Sequence, residues 1–496
     1  MRKGGGYYPR VLLFIALTTS APLLTLPFYP EDAKYAASFI VPAVFAAVLG
    51  LVFSLVSRRR PSADAPRVWQ SPLKNGSLPV LFAWCSAIVA GAVPFALGGR
   101  LGFVHALFES VSGWSTTGLS VVDVADTPRI YLFHRAFMQY CGGLGFIIVI
   151  AIVLQGRQMM SMYSAEGHPD GLMPNLKRMS VSIFLIYTSC LALGTSLYAL
   201  FGMSVFEALC HAMSALSTAG FSTRAGSIGE YGSLPIELVT IVLMLIGSSN
   251  FAWLLLLVRR KFKRFARISE VRFMFATLAV FVPLVTATLL AQYRKGFLEA
   301  LRGAVFCVVT MFSTTGYSTD NYSAWPPVAI GLLLVLMVLG AGTGSTAGGI
   351  KMLRAYILAR ITKANISRRL SPSHSVKLMR CVRAQGEMQI DDGLIRDTIE
   401  FTAVYGAVLF VGTFLGAFFE GNSATLGEVF FEFTSALGTV GVSNGLTARA
   451  ANGTLIVEML GMLMGRLEIF IVLLGLYSVF EKLKKRAARL RAASRP

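Results

Sequence analysis

Residues 112–120 read SGWSTTGLS, and the same punctuation returns three times: SALSTAGFST at 214–223, TMFSTTGYST at 310–319 and SALGTVGVSN at 435–444. Each run is rich in hydroxyls and turns on a central glycine. These are Gly118, Gly220, Gly316 and Gly441, spaced by 102, 96 and 125 residues. One STTG is common loop composition, but four in matching surroundings mark a repeated structural unit. A moderately apolar stretch leads into each run, FVHALFESVSGW before the first and EVFFEFTSAL before the last. Such a stretch is too short and too polar to cross a bilayer, whose core of ~30 Å needs about 20 apolar residues of helix. Longer apolar segments flank it on both sides. The unit therefore reads as span, half-helix, polar glycine run, span, and it enters and leaves the membrane on one side.

Composition agrees that lipid is the solvent. The chain has 496 residues, 55% hydrophobic and only 14% charged, with a mean hydropathy of +0.64. A soluble protein of this length needs more charged surface. Spans are predicted at 11–29, 38–57, 78–98, 180–203, 234–258, 328–350, 398–420 and 455–480, with two more near 135–154 and 271–292. Residues 11–29 are long, contain Pro22 and Pro27 and are soon followed by another span, so they read as a retained helix rather than a cleaved signal. The formal charge of +20 is not spread. It collects after the second span, in 259–267, in 351–383 and in 481–496, with 155–178 placed on the same side, while Asp123, Asp126, Glu230 and Asp320 mark the opposite connections. Basic loops stay in the cytoplasm. The charge thus reads as topology, with both termini inside, and not as a nucleic-acid-binding face. Six cysteines, at 85, 141, 190, 210, 307 and 381, show no CxxC pair and suggest neither a metal site nor a disulfide framework.

Parallel repeats pack most simply around an axis along the membrane normal, and irregular backbone at membrane depth is tolerated only inside protein or along water. Four glycine runs meeting at an axis would surround a narrow pore with peptide carbonyls, which replace the hydration shell of a cation. Glycine suits this because it adopts backbone angles that turn consecutive carbonyls inward. The competing explanation is small-residue packing between membrane helices. No nucleophile–base pattern or paired carboxylate site is visible, so the chain is not expected to be an enzyme. His105, His134 and His211 show no ligand spacing, whereas Glu109, Glu207 and Glu432 stand on the half-helices as candidate field-setting or anchoring carboxylates. Two further features stand out. GAGTGSTAGGIK at 340–351 lacks the GK[ST] and the βαβ context of a phosphate loop, and its glycines cannot hold a stable helix. Arg466, within MGRLEIF at 464–470, sits at a depth where a charge costs roughly 2.5–3.5 kcal/mol. It is expected to face a cavity or pair with Glu432 or Glu458.

With the glycine runs, GAGTGSTAGGIK and MGRLEIF, nearly the whole chain resembles the potassium-transporting subunits of the Trk/Ktr/HKT superfamily, most closely the bacterial TrkH/TrkG branch. The resemblance implies an all-α integral membrane protein with four M1–pore helix–M2 repeats in a pseudo-fourfold arrangement around one pore, plus two N-terminal transmembrane helices. The boundaries expected are 1–70 for the N-terminal pair, then 71–178, 179–269, 270–390 and 391–496 for the repeats. It implies a K+ selectivity filter at Thr116, Thr117 and Gly118, at Thr218, Ala219 and Gly220, at Thr314, Thr315 and Gly316, and at Thr439, Val440 and Gly441. K+ is the substrate ion, with no covalently bound cofactor. Glycine at all four positions is the pattern that goes with potassium in this superfamily, serine at the first with sodium. The resemblance further implies a gate at Gly342, Thr343, Gly344, Ser345, Thr346 and Ala347 with Arg466 as an electrostatic barrier. The partners implied are membrane lipid, a second copy in a homodimer, and a cytosolic nucleotide-binding regulatory subunit of TrkA type. The location implied is the bacterial inner membrane. A Na+- or H+-coupled K+ symporter of the same fold is the alternative reading. The segment 351–397 lacks strand alternation and is not expected to form a nucleotide-binding domain.

Overall fold

A computed structural model describes residues 7–59, 72–144, 176–292, 296–370 and 379–493. The predicted end of the span at 145–154 and most of the basic loop at 155–178 lie outside them. Two helices, α1 (Tyr7–Ser20) and α2 (Ala36–Arg59), pack on each other at the start. The first repeat follows as α3 (Pro72–Leu97), the short α4 (Phe103–Trp114) and α5 (Arg129–Leu144). The second is α6 (Leu176–Leu200), the short α7 (Val205–Leu216), α8 (Leu234–Gly247) and α9 (Phe251–Val258), with a single turn, α10 (Phe262–Phe265), after it. The third is α11 (Ser269–Gln292), α12 (Phe297–Phe312), α13 (Pro327–Leu339) and α14 (Met352–Leu370). The fourth is α15 (Asp392–Glu420), the short α16 (Leu426–Leu437), α17 (Asn452–Leu467) and α18 (Ile469–Ala493).

Among the described residues, six helices are long and apolar enough to cross a membrane, or eight if two bent pairs each count as one span. Their outward faces carry bare apolar side chains, such as Val44, Phe45, Leu51 and Phe53 on α2 and Phe410, Phe414 and Phe418 on α15. In water such surfaces would associate; in lipid they are the solvated face. Polarity is turned inward instead. Ser115, Thr116, Thr117, Thr218, Thr314, Thr315 and Thr439 are all fully buried at the centre.

Three predicted spans are broken. Residues 234–258 form α8 and α9, bent by 111°, and 455–480 form α17 and α18, bent by 108°. At the first break the Asn250 side chain accepts from the Ala252 N–H at 2.7 Å and starts a new helix. At the second, Glu468 adopts a left-handed φ of 63°. The span predicted at 328–350 ends at Leu339, and the glycine-rich segment after it is a loop. Hydropathy averages over such breaks because their residues are small or flanked by apolar ones. The expectation that 351–397 lacks strands is also corrected: Arg380–Arg383 and Gly386–Gln389 pair antiparallel, Cys381 opposite Met388. A two-stranded hairpin turned by Gly386 (φ 144°) is too small to change the helical class.

Candidate ion pathway

Each short helix runs straight into a glycine run and ends the same way. Thr117 N–H bonds the Ser112 carbonyl while Thr116 N–H bonds that of Gly113, and the pairs Ala219–Ser214 with Thr218–Ala215, Thr315–Thr310 with Thr314–Met311, and Val440–Ser435 with Thr439–Ala436 repeat it. This is the Schellman closure, which needs a left-handed residue just past the helix. Glycine usually fills that place. Here it is threonine each time: Thr116 at φ 56°, Thr218 at 50°, Thr314 at 55° and Thr439 at 51°. A β-branched residue there is strained by about 1–3 kcal/mol and persists only where the surroundings over-determine it. Two residues on, Gly118, Gly220, Gly316 and Gly441 are again at positive φ. Such alternation turns successive carbonyls toward one side of the strand.

The four runs close into a ring in chain order. A Cβ added to Gly118 would lie 2.1 Å from the Ala219 carbonyl oxygen, and one on Gly220 2.1 Å from that of Thr315. One on Gly316 would meet Val440 O at 2.0 Å, and one on Gly441 would meet Thr117 O at 2.0 Å. The last run thus returns to the first, and no side chain fits at any of the four places. Helix C-termini carry about half a negative charge each, and four of them end at this ring. Above it the glycines floor a vestibule of about 690 Å³ whose lining includes Asp123 and Asp320. Arg224 on its wall pairs with Glu207 at 2.6 Å and Glu230 at 3.2 Å.

Nine residues before the glycines stand Glu109, His211, Cys307 and Glu432, all buried. Three of them grip the serine two places past the glycine. Ser120 Oγ donates to both Glu109 oxygens at 3.1 and 3.2 Å, His211 Nε2 is 2.9 Å from Ser222 Oγ, and Ser443 donates to Glu432. Glu109 and Glu432 are therefore anchors of the runs, whereas Glu207 belongs to the outer wall. His211, assigned no chemistry from spacing, shares the position of the two carboxylates. Two further residues went unread in the sequence. Arg135 pairs with Glu109 at 2.6 Å, donates to Ser120 Oγ at 2.8 Å and lies 4.0 Å over the Phe221 ring. Gln139 donates to the Ala219 carbonyl at 2.8 Å and accepts from Phe221 N–H at 3.3 Å. Their signal was polarity inside an apolar stretch.

Beneath the ring lies the loop 340–351, buried throughout except for half-buried Thr343. It touches all four strained threonines. Thr346 O accepts from Thr116 Oγ1 at 3.4 Å, Thr346 Oγ1 is 2.7 Å from Thr218 Oγ1, and Gly348 N–H donates to Thr314 Oγ1 at 3.2 Å. A Cβ on Gly348 would meet Thr439 Oγ1 at 2.3 Å. The loop's near side is tied to the α8–α9 break: Gly342 N–H donates to Ser248 O at 3.0 Å, Thr346 Oγ1 to Gly247 O at 3.0 Å, and Asn250 to Thr343 O. Thr343 N–H donates to Glu270 at 2.7 Å. Its far end carries buried Lys351, 3.1 Å from Glu468 at the α17–α18 break, with Arg354 2.9 Å from the same carboxylate. Ser345 turns inward to Gly342 O at 2.6 Å, and Gly344 takes a positive φ of 76°. Arg466 turns to carbonyls rather than to Glu432 or Glu458. It donates to Thr346 O at 3.2 Å and to Gly142 O at 2.6 Å.

Four glycine runs closed on one another inside a set of long apolar helices define a multi-pass helical membrane protein. The TrkH family model, described as a cation transport protein, matches residues 48–482, and the chain belongs to that family. It is 31% identical to the Trk system potassium uptake protein TrkG of Escherichia coli K12 over 82% of this chain and 85% of that protein. It is 29% identical to the potassium uptake protein TrkH of Halomonas elongata, over 80% and 84%. Its fold matches the crystal structure of the potassium transporter TrkH from Vibrio parahaemolyticus with a TM-score of 0.80 and 24% identity, over 94% of this chain and 96% of that one. The family is one of transporters, not enzymes.

Proposed function

We propose that this chain is the K+-translocating subunit of a bacterial uptake system, selecting the ion at the carbonyls of its four glycine runs. The closed ring carries the reading: each glycine backs onto the carbonyl before the next, and the fourth returns to the first. Thr116, Thr117 and Gly118 with their counterparts 218–220, 314–316 and 439–441 offer a dehydrated cation oxygens in place of water. Helix C-termini supply the field. Membership of the TrkH family and the potassium-uptake names of its relatives support K+ as the transported ion. Residues 342–347 act as the gate: in contact with all four threonines through their loop, they stopper the inner end of the filter. Arg466, held on Thr346 O, adds a positive charge that opposes cations there. We assign the repeats to 71–178, 179–269, 270–390 and 391–496, after an N-terminal pair within 1–70. The subunit works in the inner membrane as a homodimer with both termini cytoplasmic, and a TrkA-type subunit controls the gate from that side.

Growth of a potassium-uptake-deficient bacterium at limiting K+ tests this. Wild type restores growth; Gly118→Ser and Gly316→Ser abolish rescue or raise sodium uptake, because neither run has room for a Cβ. Unchanged growth and ion selectivity in both variants would remove the glycine runs from the ion path.

A further inference from the structure

The first and fourth repeats answer one buried charge in opposite ways. Seventeen residues past Gly118, Arg135 meets the Glu109 carboxylate. Seventeen residues past Gly441, the chain instead places Glu458, 1% exposed, on the same side as Glu432, which is fully buried. The Thr447 hydroxyl stands between the two acids, 2.5 Å from Glu432 Oε1 and 3.5 Å from Glu458 Oε2. Glu458 Oε1 has no hydrogen-bond partner among the described residues. The elements around Glu458 bring more acid than base. Glu420 on α15 adds repulsion, and α16 brings Glu432. On α4 stand His105 and Glu109, the latter held by Arg135; Arg449 in the preceding loop is 2.9 Å from Glu428; α18 carries no charge before Glu481. On α17 itself Arg466 is bound to carbonyls two turns away.

Two buried carboxylates meet on one threonine here, and keeping both charged would cost several kcal/mol of desolvation. Hydrogen-bond direction says which acid holds a proton. Glu432 accepts from Ser443 Oγ, Asn444 N–H at 3.0 Å, Thr447 N–H at 3.0 Å and Thr447 Oγ1, as an ionised carboxylate does. The single hydroxyl proton of Thr447 is directed at Glu432, so its oxygen is free to accept. We infer that Glu458 is a proton-binding site of the transporter: it holds one proton, directed at Thr447 Oγ1, and that proton keeps Glu432 fastened to the outer limb of the fourth glycine run. Its release to solvent leaves two repelling charges on one threonine, three residues from the run. The neutral acid is the working form, so function is present while Glu458 keeps its proton and falls as that proton is released. The functional half of this inference rests on the potassium-pathway reading; the proton itself does not.

Infrared difference spectra of the purified full-length chain across an alkaline pH jump test the proton directly. Wild type should lose a protonated-carboxyl C=O band that Glu458→Gln lacks, and Thr447→Val should shift that band upward as its hydrogen bond disappears. In vesicles, K+ uptake by wild type should fall at alkaline pH, and uptake by Glu458→Gln should no longer depend on pH. Glu458→Arg, which rebuilds the first repeat's pair, should also lack the band. A band that persists in Glu458→Gln, or one unmoved in Thr447→Val, overturns the assignment. A signal that follows sodium at fixed pH overturns it in favour of a metal cation. The spectra need no transport, so their success in a chain that moves no K+ would sink the pathway reading alone.

Discussion

Arg135 shows how a membrane chain can hold a charge at its centre. Its guanidinium is 2% exposed, yet it is matched by Glu109 and Ser120 and capped by the Phe221 ring. Removing one member of such a pair strands the other, at a cost of about 3–5 kcal/mol. Arg135→Met should therefore lower the thermal stability of the purified protein by that order, and adding Glu109→Gln should recover part of it. A double variant no more stable than the single would show that Arg135 matters for packing and not for charge. The two anchoring acids were legible in the sequence because a carboxylate on a short apolar half-helix is conspicuous. Glu207 is equally conspicuous but falls in the first turn of α7, beneath Ser204, and turns to Arg224 at the surface. Composition alone cannot separate these, since the difference lies in which turn of the helix faces the ring. The count back from the glycine does separate them, and it would have added His211.

Hydropathy was least informative at the elements where a helix is interrupted. A window across 234–258 or 455–480 sees an unbroken span, although one bends by 111° and the other by 108°. The glycine-rich break in the third repeat was visible because backbone entropy forbids a helix there; the other two have no such density of glycine. All three breaks meet at the loop. Ser248 and Asn250 hold one side of it, and Glu468 holds Lys351 at the other. The loop is thus suspended between two repeats rather than held by its own helix alone. Deleting residues 342–347 should raise K+ flux through reconstituted protein several-fold, as should Arg466→Gln. Glu468→Gln should give a smaller rise, because it strands buried Lys351 and loosens only one attachment. Flux that stays at the wild-type level in the deletion would mean that the loop does not obstruct the path.

At the scale of the molecule, closure of the ring requires all four repeats to enter the membrane in the same sense. A repeat inserted upside down would bring its glycine run to the axis from the wrong side, and Gly441 could not meet Thr117 O as it does. The common orientation was readable because charge and hydropathy are independent signals: the basic segments 259–267, 351–383 and 481–496 fall after successive units. Which copies pair and what docks beneath them leave no such periodic trace, and those assignments rest on family likeness. Orientation itself has a direct check. Ala225 lines the vestibule above the glycines, while Arg264, on α10, donates to Gln385 O of the hairpin on the opposite, basic side. With exposed Cys85 replaced by serine, Ala225→Cys should react with a membrane-impermeant maleimide in intact cells. Arg264→Cys should react only after permeabilisation. Lysine and arginine near a span resist translocation far more than acids do, so reversal would need several basic loops to cross together. Labelling of the Arg264→Cys variant in intact cells would therefore invert the whole assignment at once, carrying the vestibule to the inside and the glycine-rich loop to the outside.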